Sequence, residues 1–180
     1  MEATTEKEAA AMPERENTCC FTGHREYKLP WGSDENDPRC RKLQQQLFDA
    51  VDAVYAAGIR HFICGMANGC DLYFFDAARY LRLQHPEVTI EAAIPFSGQA
   101  DRWPAPARKR FQAILAQADK VVYVQPTYTA SCFFKRNRHL ADHSQAFMST
   151  NVTYGRGEGV VTAIGMDTQV GRIARLIGNE

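Results

Sequence analysis

The chain has 180 residues, 45% of them hydrophobic, which is enough to close one core and too few for two independent ones. Its 21 basic residues balance 21 acidic ones, so no overall positive field draws in a polyanion such as duplex DNA, and any nucleic-acid contact has to be local. The six cysteines make no CxxC pair and no Cys/His set at zinc spacing, so they read as reduced, buried small hydrophobes, and no metal site is expected.

Residues 1–17 are polar and charged without the apolar stretch of a secretory signal, and nowhere do 18 uncharged apolar residues run together. The expectation is a disordered or loosely helical leader on a cytoplasmic protein with no membrane partner. Thr18 to Thr22 is a short apolar run cut off by Gly23-His24-Arg25, the pattern of a buried strand ending in a turn. After a loop rich in Pro, Gly, Asp and Asn, Leu43, Leu47, Val51, Val54 and Tyr55 recur at helical spacing, and Gly58 stands where a helix ends. Residues 59–64 form a second β-type run, closed by the turn Gly65-Met66-Ala67-Asn68-Gly69-Cys70-Asp71. Helical spacing resumes over 72–83.

Residues 88–94 predict a third strand halted by Pro95, residues 106–118 a helix with Phe111, Ile114 and Leu115 on one side, and residues 120–124 a fourth strand. Residues 136–144 are a polar helix candidate. This alternation predicts an α/β, Rossmann-like three-layer domain: a mainly parallel sheet, helices on both faces, and ligands at the carboxyl ends of the strands. The remainder, residues 145–180, departs from the rhythm and forms an atypical β-rich tail, with a hairpin-like pattern and a short helix starting near Asp167-Thr168.

Three segments carry candidate chemistry. In the turn 65–71, placed between a strand and a helix, glycines let backbone approach a ligand and free amides favour a phosphate; a purely structural tight turn explains it equally well. Arg25, at the end of the preceding strand, has the fork geometry to clamp a phosphate or carboxylate. Read alone, it is better explained as a solvated loop charge, and His24 as a capping or packing residue. Phe133-Phe134-Lys135-Arg136-Asn137-Arg138 combines aromatics that can stack on a base with cations that can hold phosphates, and is equally an ordinary helix start. Asp71 and Asp76 are candidate ribose acceptors or general bases, although single carboxylates in this position more often cap a helix. No Ser/His/Asp order and no HExxH supports a named hydrolase or metal mechanism.

Taken jointly, CCFTGHR at 19–25 with Lys28-Leu29-Pro30, GMANGCD with Asp76-Ala77-Ala78, AAIPF with Gln99 and Trp103, and Tyr128 leading to CFFKRNRHLADHS at 132–144 resemble the YpsA-like branch of the SLOG superfamily over residues 18–144. The resemblance implies a Rossmann-like domain related to DprA and to the cytokinin-activating hydrolases of the "lysine decarboxylase" type, binding nucleotide-derived ligands. It places Gly23, His24 and Arg25 in a first ligand loop, Gly65, Met66, Ala67, Gly69 and Asp71 in a second, and Arg136, Asn137 and Arg138 in a basic motif. Asp76 stands where the family has Glu, and its shorter reach argues against an acid/base role there.

The family's further strand, GGT phosphate loop and closing helix have no counterpart loop after Ser144. Residues 146–177 instead resemble the end of the actuator region of a calcium-type P-type ATPase, without its TGE and DKTGT motifs or membrane helices, so the chain reads as a fusion and not as an ion pump. If Phe147 to Tyr154 docks as the missing strand the sheet closes; if not, an open edge favours self-association into a homo-oligomer. The functional expectation is a sensor or regulatory module holding a nucleotide-like ligand, its one implied cofactor class. The alternatives are a nucleoside-phosphate or N-glycosidic hydrolase, which lacks its PGGxGT-type loop, and DprA-like single-strand DNA binding through a patch of Lys135 to Arg138 with Arg108, Lys109 and Arg110.

Overall fold

A computed structural model of the chain describes residues 15–149. The elements in chain order are β1 (Thr18–Thr22), α1 (Pro38–Ala56), β2 (His61–Cys64), α2 (Cys70–Gln84), β3 (Thr89–Ile94), α3 (Ala105–Leu115), β4 (Lys120–Tyr123), α4 (Cys132–Asp142) and β5 (Ala146–Ser149). The sheet is wholly parallel in the order β4-β3-β2-β1-β5. The expected Rossmann-like α/β architecture is therefore present.

Residue parity along the strands explains the layers. Cys19, Phe21, Phe62, Cys64, Ile90, Ala92 and Ile94 share one cluster with α1, α2 and α3, whereas Cys20, Ile63 and Ala93 meet Leu140 of α4 on the opposite face. The reason is topological. From β1 to β4 the chain steps across the sheet in one direction; from β4 to β5 it jumps back past β1, and right-handed crossovers then require the connecting helix to lie on the other face. The switch of direction falls at β1, so the carboxyl ends of β1 and its neighbours form the crevice where such sheets take ligands.

The helical cluster is built on large rings: Phe21 and Phe74 stack at 4.8 Å, and Phe62 lies 6.0 Å from Phe74. Asp37 caps α1 by accepting the Arg39 N–H, with Pro38 in the first turn. All six cysteines are buried thiols.

Two expectations are corrected. Residues 15–17, assigned to the leader, form a 3-10 turn, and Arg15 donates to the Ser144 carbonyl. The polar helix spans Cys132–Asp142, four residues earlier than 136–144, because it buries Cys132, Arg136 and Leu140 on one stripe. In the tail, residues 146–149 form a parallel strand on β1, the start of the docking strand expected from Phe147 onward; the rest of the tail, including the hairpin-like pattern and the helix near Asp167, lies outside the described residues, as does the leader before residue 15. Among the described residues no helix is long and apolar enough to cross a membrane.

On the α4 face the sheet centre is polar. Glu91, 2% exposed, is held by His139 Nε2 at 2.8 Å, Lys120 Nζ at 2.8 Å and, more distantly, His61 Nε2 at 3.7 Å. Burial alone pushes this carboxyl up; the close donors on His139 and Lys120, with the His61 ring further off, outweigh it and hold it well below the usual range. A depressed carboxylate stabilises the fold above its ordinary value of 4.5 and loses that contribution as pH falls through and below it. Glu91→Gln is therefore expected to cost about 2 kcal/mol at pH 7 in urea unfolding, with the gap to the parent narrowing as pH drops below 4.5. A gap independent of pH would contradict the assignment.

Candidate functional site

The turns after β1 and β2 are joined to one another. Arg25 and Gly69 form an antiparallel bridge; the Cys70 N–H donates to the His24 carbonyl at 3.0 Å, and the Glu26 N–H to the Asn68 carbonyl at 2.9 Å. The Asn68 side chain adds a 2.6 Å bond to Glu26 Oε2. Glycine at 69 is required twice over: its φ is +124°, and a Cβ there would come within 2.6 Å of both the His24 carbonyl and the Glu26 N–H.

Beneath the paired turns lies a buried ion pair. Asp71, 1% exposed, accepts the Gly23 N–H at 2.8 Å, the Ala67 N–H at 3.0 Å and Arg136 Nη1 at 3.1 Å. Arg136, 4% exposed, also donates to the Gly65 carbonyl from the same nitrogen. Burial raises the Asp71 carboxyl above its ordinary value, while Arg136 and the two amides pull it back. Asp71 does not cap its own helix; it ties both turns to α4. Gly65 is glycine because a Cβ would overlap the Arg136 guanidinium. The Arg136 Nε is buried without an acceptor among the described residues; a buried donor of that kind is ordinarily satisfied by an ordered water or a ligand atom.

This geometry corrects one element of the sequence reading. Four amides expected to face a ligand are engaged inside the turns: Gly23 and Ala67 on Asp71, Cys70 on His24, and Met66 on Cys64 Sγ. Gly65, Met66, Ala67, Gly69, Asp71 and Arg136 are all buried, Met66 in a left-handed conformation with φ +59° and its carbonyl accepting from Gln99 Nε2. Gly23, His24 and Arg25 are half-buried at the rim. Asn137 and Arg138 are exposed on α4, Arg138 paired with Asp142 at 3.5 Å, so the structure does not bring them to the turns with Arg136. Asp76 is tied to Arg79 and Arg110, away from Asp71's contacts.

Arg25 is the cation at the rim. Its guanidinium lies over the Phe133 ring, 4.4 Å from the centroid, and has no hydrogen-bond acceptor or ion-pair partner among the described residues. On the other flank of the paired turns is a cavity of about 330 Å³, lined by Glu26, Glu35, Asn68, Gly69, Tyr73 and Arg110 among others. Of the ligand-loop residues implied by the resemblance Gly69 touches it, together with Asn68 of the same turn and Arg110 of the alternative DNA-binding patch. Arg110 is braced there by Glu35 and, at 3.2 Å, by Asp76. Glu26, which holds Asn68 through both its N–H and its carboxylate, is a positioning residue that sequence reasoning passed over, and Gln99 entered it as part of a motif without a role, because bonds across loops leave no periodic trace. Among the described residues no group of three or more His, Cys, Asp or Glu side chains is placed to hold a metal.

The chain is similar to known proteins. A UPF0398 protein of Bacillus velezensis is 29% identical over 93 residues, 51% of this chain and 51% of that protein, so the chain spans about half of that relative's length. The UPF0398 protein YpsA of Bacillus subtilis is 22% identical over 130 residues, 71% of this chain and 72% of that protein. Calcium-transporting ATPase 1 of Bacillus cereus is 59% identical over only 34 residues, 19% of this chain and 4% of that protein. A family model described as YspA SLOG family (YpsA) matches residues 19–154, which takes in both turns, Asp71, α4 and β5, and the chain belongs to this family.

Proposed function

We propose that this chain binds a nucleotide or nucleotide-derived small molecule at the carboxyl rim of its sheet and acts as a sensor or regulatory module. The observation that carries the reading is Arg25, a half-buried guanidinium fixed by the turn pairing and by Phe133, with its donors not engaged by any described acceptor. A planar, permanently charged fork held in place at a strand switch point suits a phosphate, which it can grip with two parallel bonds. The engaged turn amides serve a different purpose in this reading: they make the rim rigid, so that little ordering is needed when the ligand arrives.

Binding is favoured over hydrolysis because neither carboxylate of the second turn and its helix is available for proton transfer. Asp71 is saturated by three donors, and Asp76 is shared between two arginines. Single-strand DNA binding is less favoured for a related reason. Of the cations that would form its patch, Arg136 is buried on Asp71, Arg110 lies between Glu35 and Asp76, and Arg138 is paired with Asp142.

Calorimetric titration with AMP, ADP and ADP-ribose is expected to show saturable binding of at least one of them, and silence from all three would overturn the reading. Arg25→Ala is expected to weaken the bound nucleotide by about 10- to 150-fold, the loss of a charge-assisted contact of about 1.5–3 kcal/mol, with the melting temperature unchanged. Gly69→Ala, in contrast, is expected to lower thermal stability by about 2 kcal/mol or more, because the added methyl meets backbone and not a movable side chain. An unchanged melting curve for Gly69→Ala would show that the turn pairing does not constrain the fold.

A further inference from the structure

Three loops at the same rim assemble an aromatic cluster that the phosphate contact does not use. Phe96 follows β3, Tyr128 follows β4, and Phe133 stands in the first turn of α4. Tyr128 meets Phe96 edge-on at 5.5 Å and 76°, and Phe133 meets Phe96 in the same way at 6.3 Å and 76°. Arg25 covers Phe133 at 4.4 Å, so the cation and the three rings form one continuous wall.

Packing accounts for Phe96 and Phe133, which are half-buried, but not for Tyr128, which is 64% exposed. An exposed ring on an unsupported loop would be unremarkable. This loop is braced: Gln125 Nε2 donates to the Thr127 carbonyl at 2.6 Å and to Thr129 Oγ1 at 2.8 Å, and Ser97 Oγ donates to the Pro126 carbonyl at 2.8 Å, fastening the β4 loop to the β3 loop that carries Phe96. The exposed ring is thus held at a fixed place, on a wall that ends in a guanidinium with no ion-pair partner among the described residues.

We propose that Tyr128 is the stacking platform for the heterocyclic base of the ligand, and that the preferred ligand class is a purine nucleoside monophosphate. The base lies against Tyr128 while Arg25 takes the phosphate; a purine presents a larger π-face than a pyrimidine and gains more from the ring. This inference rests on the nucleotide-binding reading above and adds the part of the ligand that Arg25 cannot recognise.

The test compares AMP with ribose 5-phosphate on the full chain by calorimetry, for the parent, Tyr128→Ala and Tyr128→Phe. Both substitutions are at an exposed position, and a circular dichroism melt confirms that each variant is folded. The parent is expected to prefer AMP by about tenfold or more. Tyr128→Ala is expected to remove most of that preference while ribose 5-phosphate binding stays within about twofold, and Tyr128→Phe to keep it. If AMP binds the parent and Tyr128→Ala equally well, or if the parent does not distinguish the two compounds, stacking on Tyr128 is overturned and nucleotide binding stands. If the parent binds neither compound, the stacking and the binding reading fall together.

Discussion

The buried pair of Asp71 and Arg136 is the interaction on which the rest of the rim depends. A carboxylate taken fully out of water is costly unless every lone pair finds a donor, and here the donors come from three separate segments: Gly23 in the first turn, Ala67 in the second and Arg136 on α4. Satisfying one charge therefore fixes the relative positions of two loops and a helix. The glycines follow from that arrangement. Gly65 must leave room for the guanidinium, and Gly69 must leave room for the backbone of the opposite turn. Neither position requires a ligand to explain it, which is why the functional argument has to rest on Arg25 and not on glycine content.

The same accounting separates two kinds of cation. Arg136 lies in the protein interior, where its charge is balanced by Asp71 and its role is architectural. Arg25 is half-buried against a ring, which partly desolvates its guanidinium without neutralising it. An incompletely solvated cation with no partner among the described residues attracts an anion more strongly than a free surface lysine does, because less hydration is lost on contact.

Strand positions were legible from sequence because the central strands are short apolar runs bounded by turn residues, and because α1 and α2 carry clear helical spacing. The family motifs located both turns as well. The direction of their chemistry was not legible. GMANGCD reads as an anion cradle when its amides are assumed free, and only three dimensions show Cys64 Sγ, His24 and Asp71 engaging them. In the same way FFKRNR reads as one basic motif, yet a helix turns each residue by about 100° and divides it into a buried Arg136 and an exposed, acid-paired Arg138. For β5 a docking strand from Phe147 was legible but its docking was not, since four residues with alternating burial say little about which neighbour they pair with. The choice is made by the vacant edge of β1, which no local pattern records.

The two faces of the sheet are held by different physics, and the difference bears on how binding can be signalled. On the α1–α3 face a large apolar cluster anchors the helices. On the α4 face the buried apolar cluster among the described residues is Cys20, Ile63, Ala93 and Leu140, and there the helix is also held by polar ties: Arg136 to Asp71 and Gly65, and His139 to Glu91. Polar ties of this kind give position more than net stability, since their desolvation offsets most of their attraction. The layer that carries Phe133, and through it Arg25, is thus the one with the smaller apolar anchor and the more exactly specified geometry. A ligand of the kind proposed above, bridging Arg25 and the aromatic wall, would add its contacts to that layer and leave the apolar one as it was.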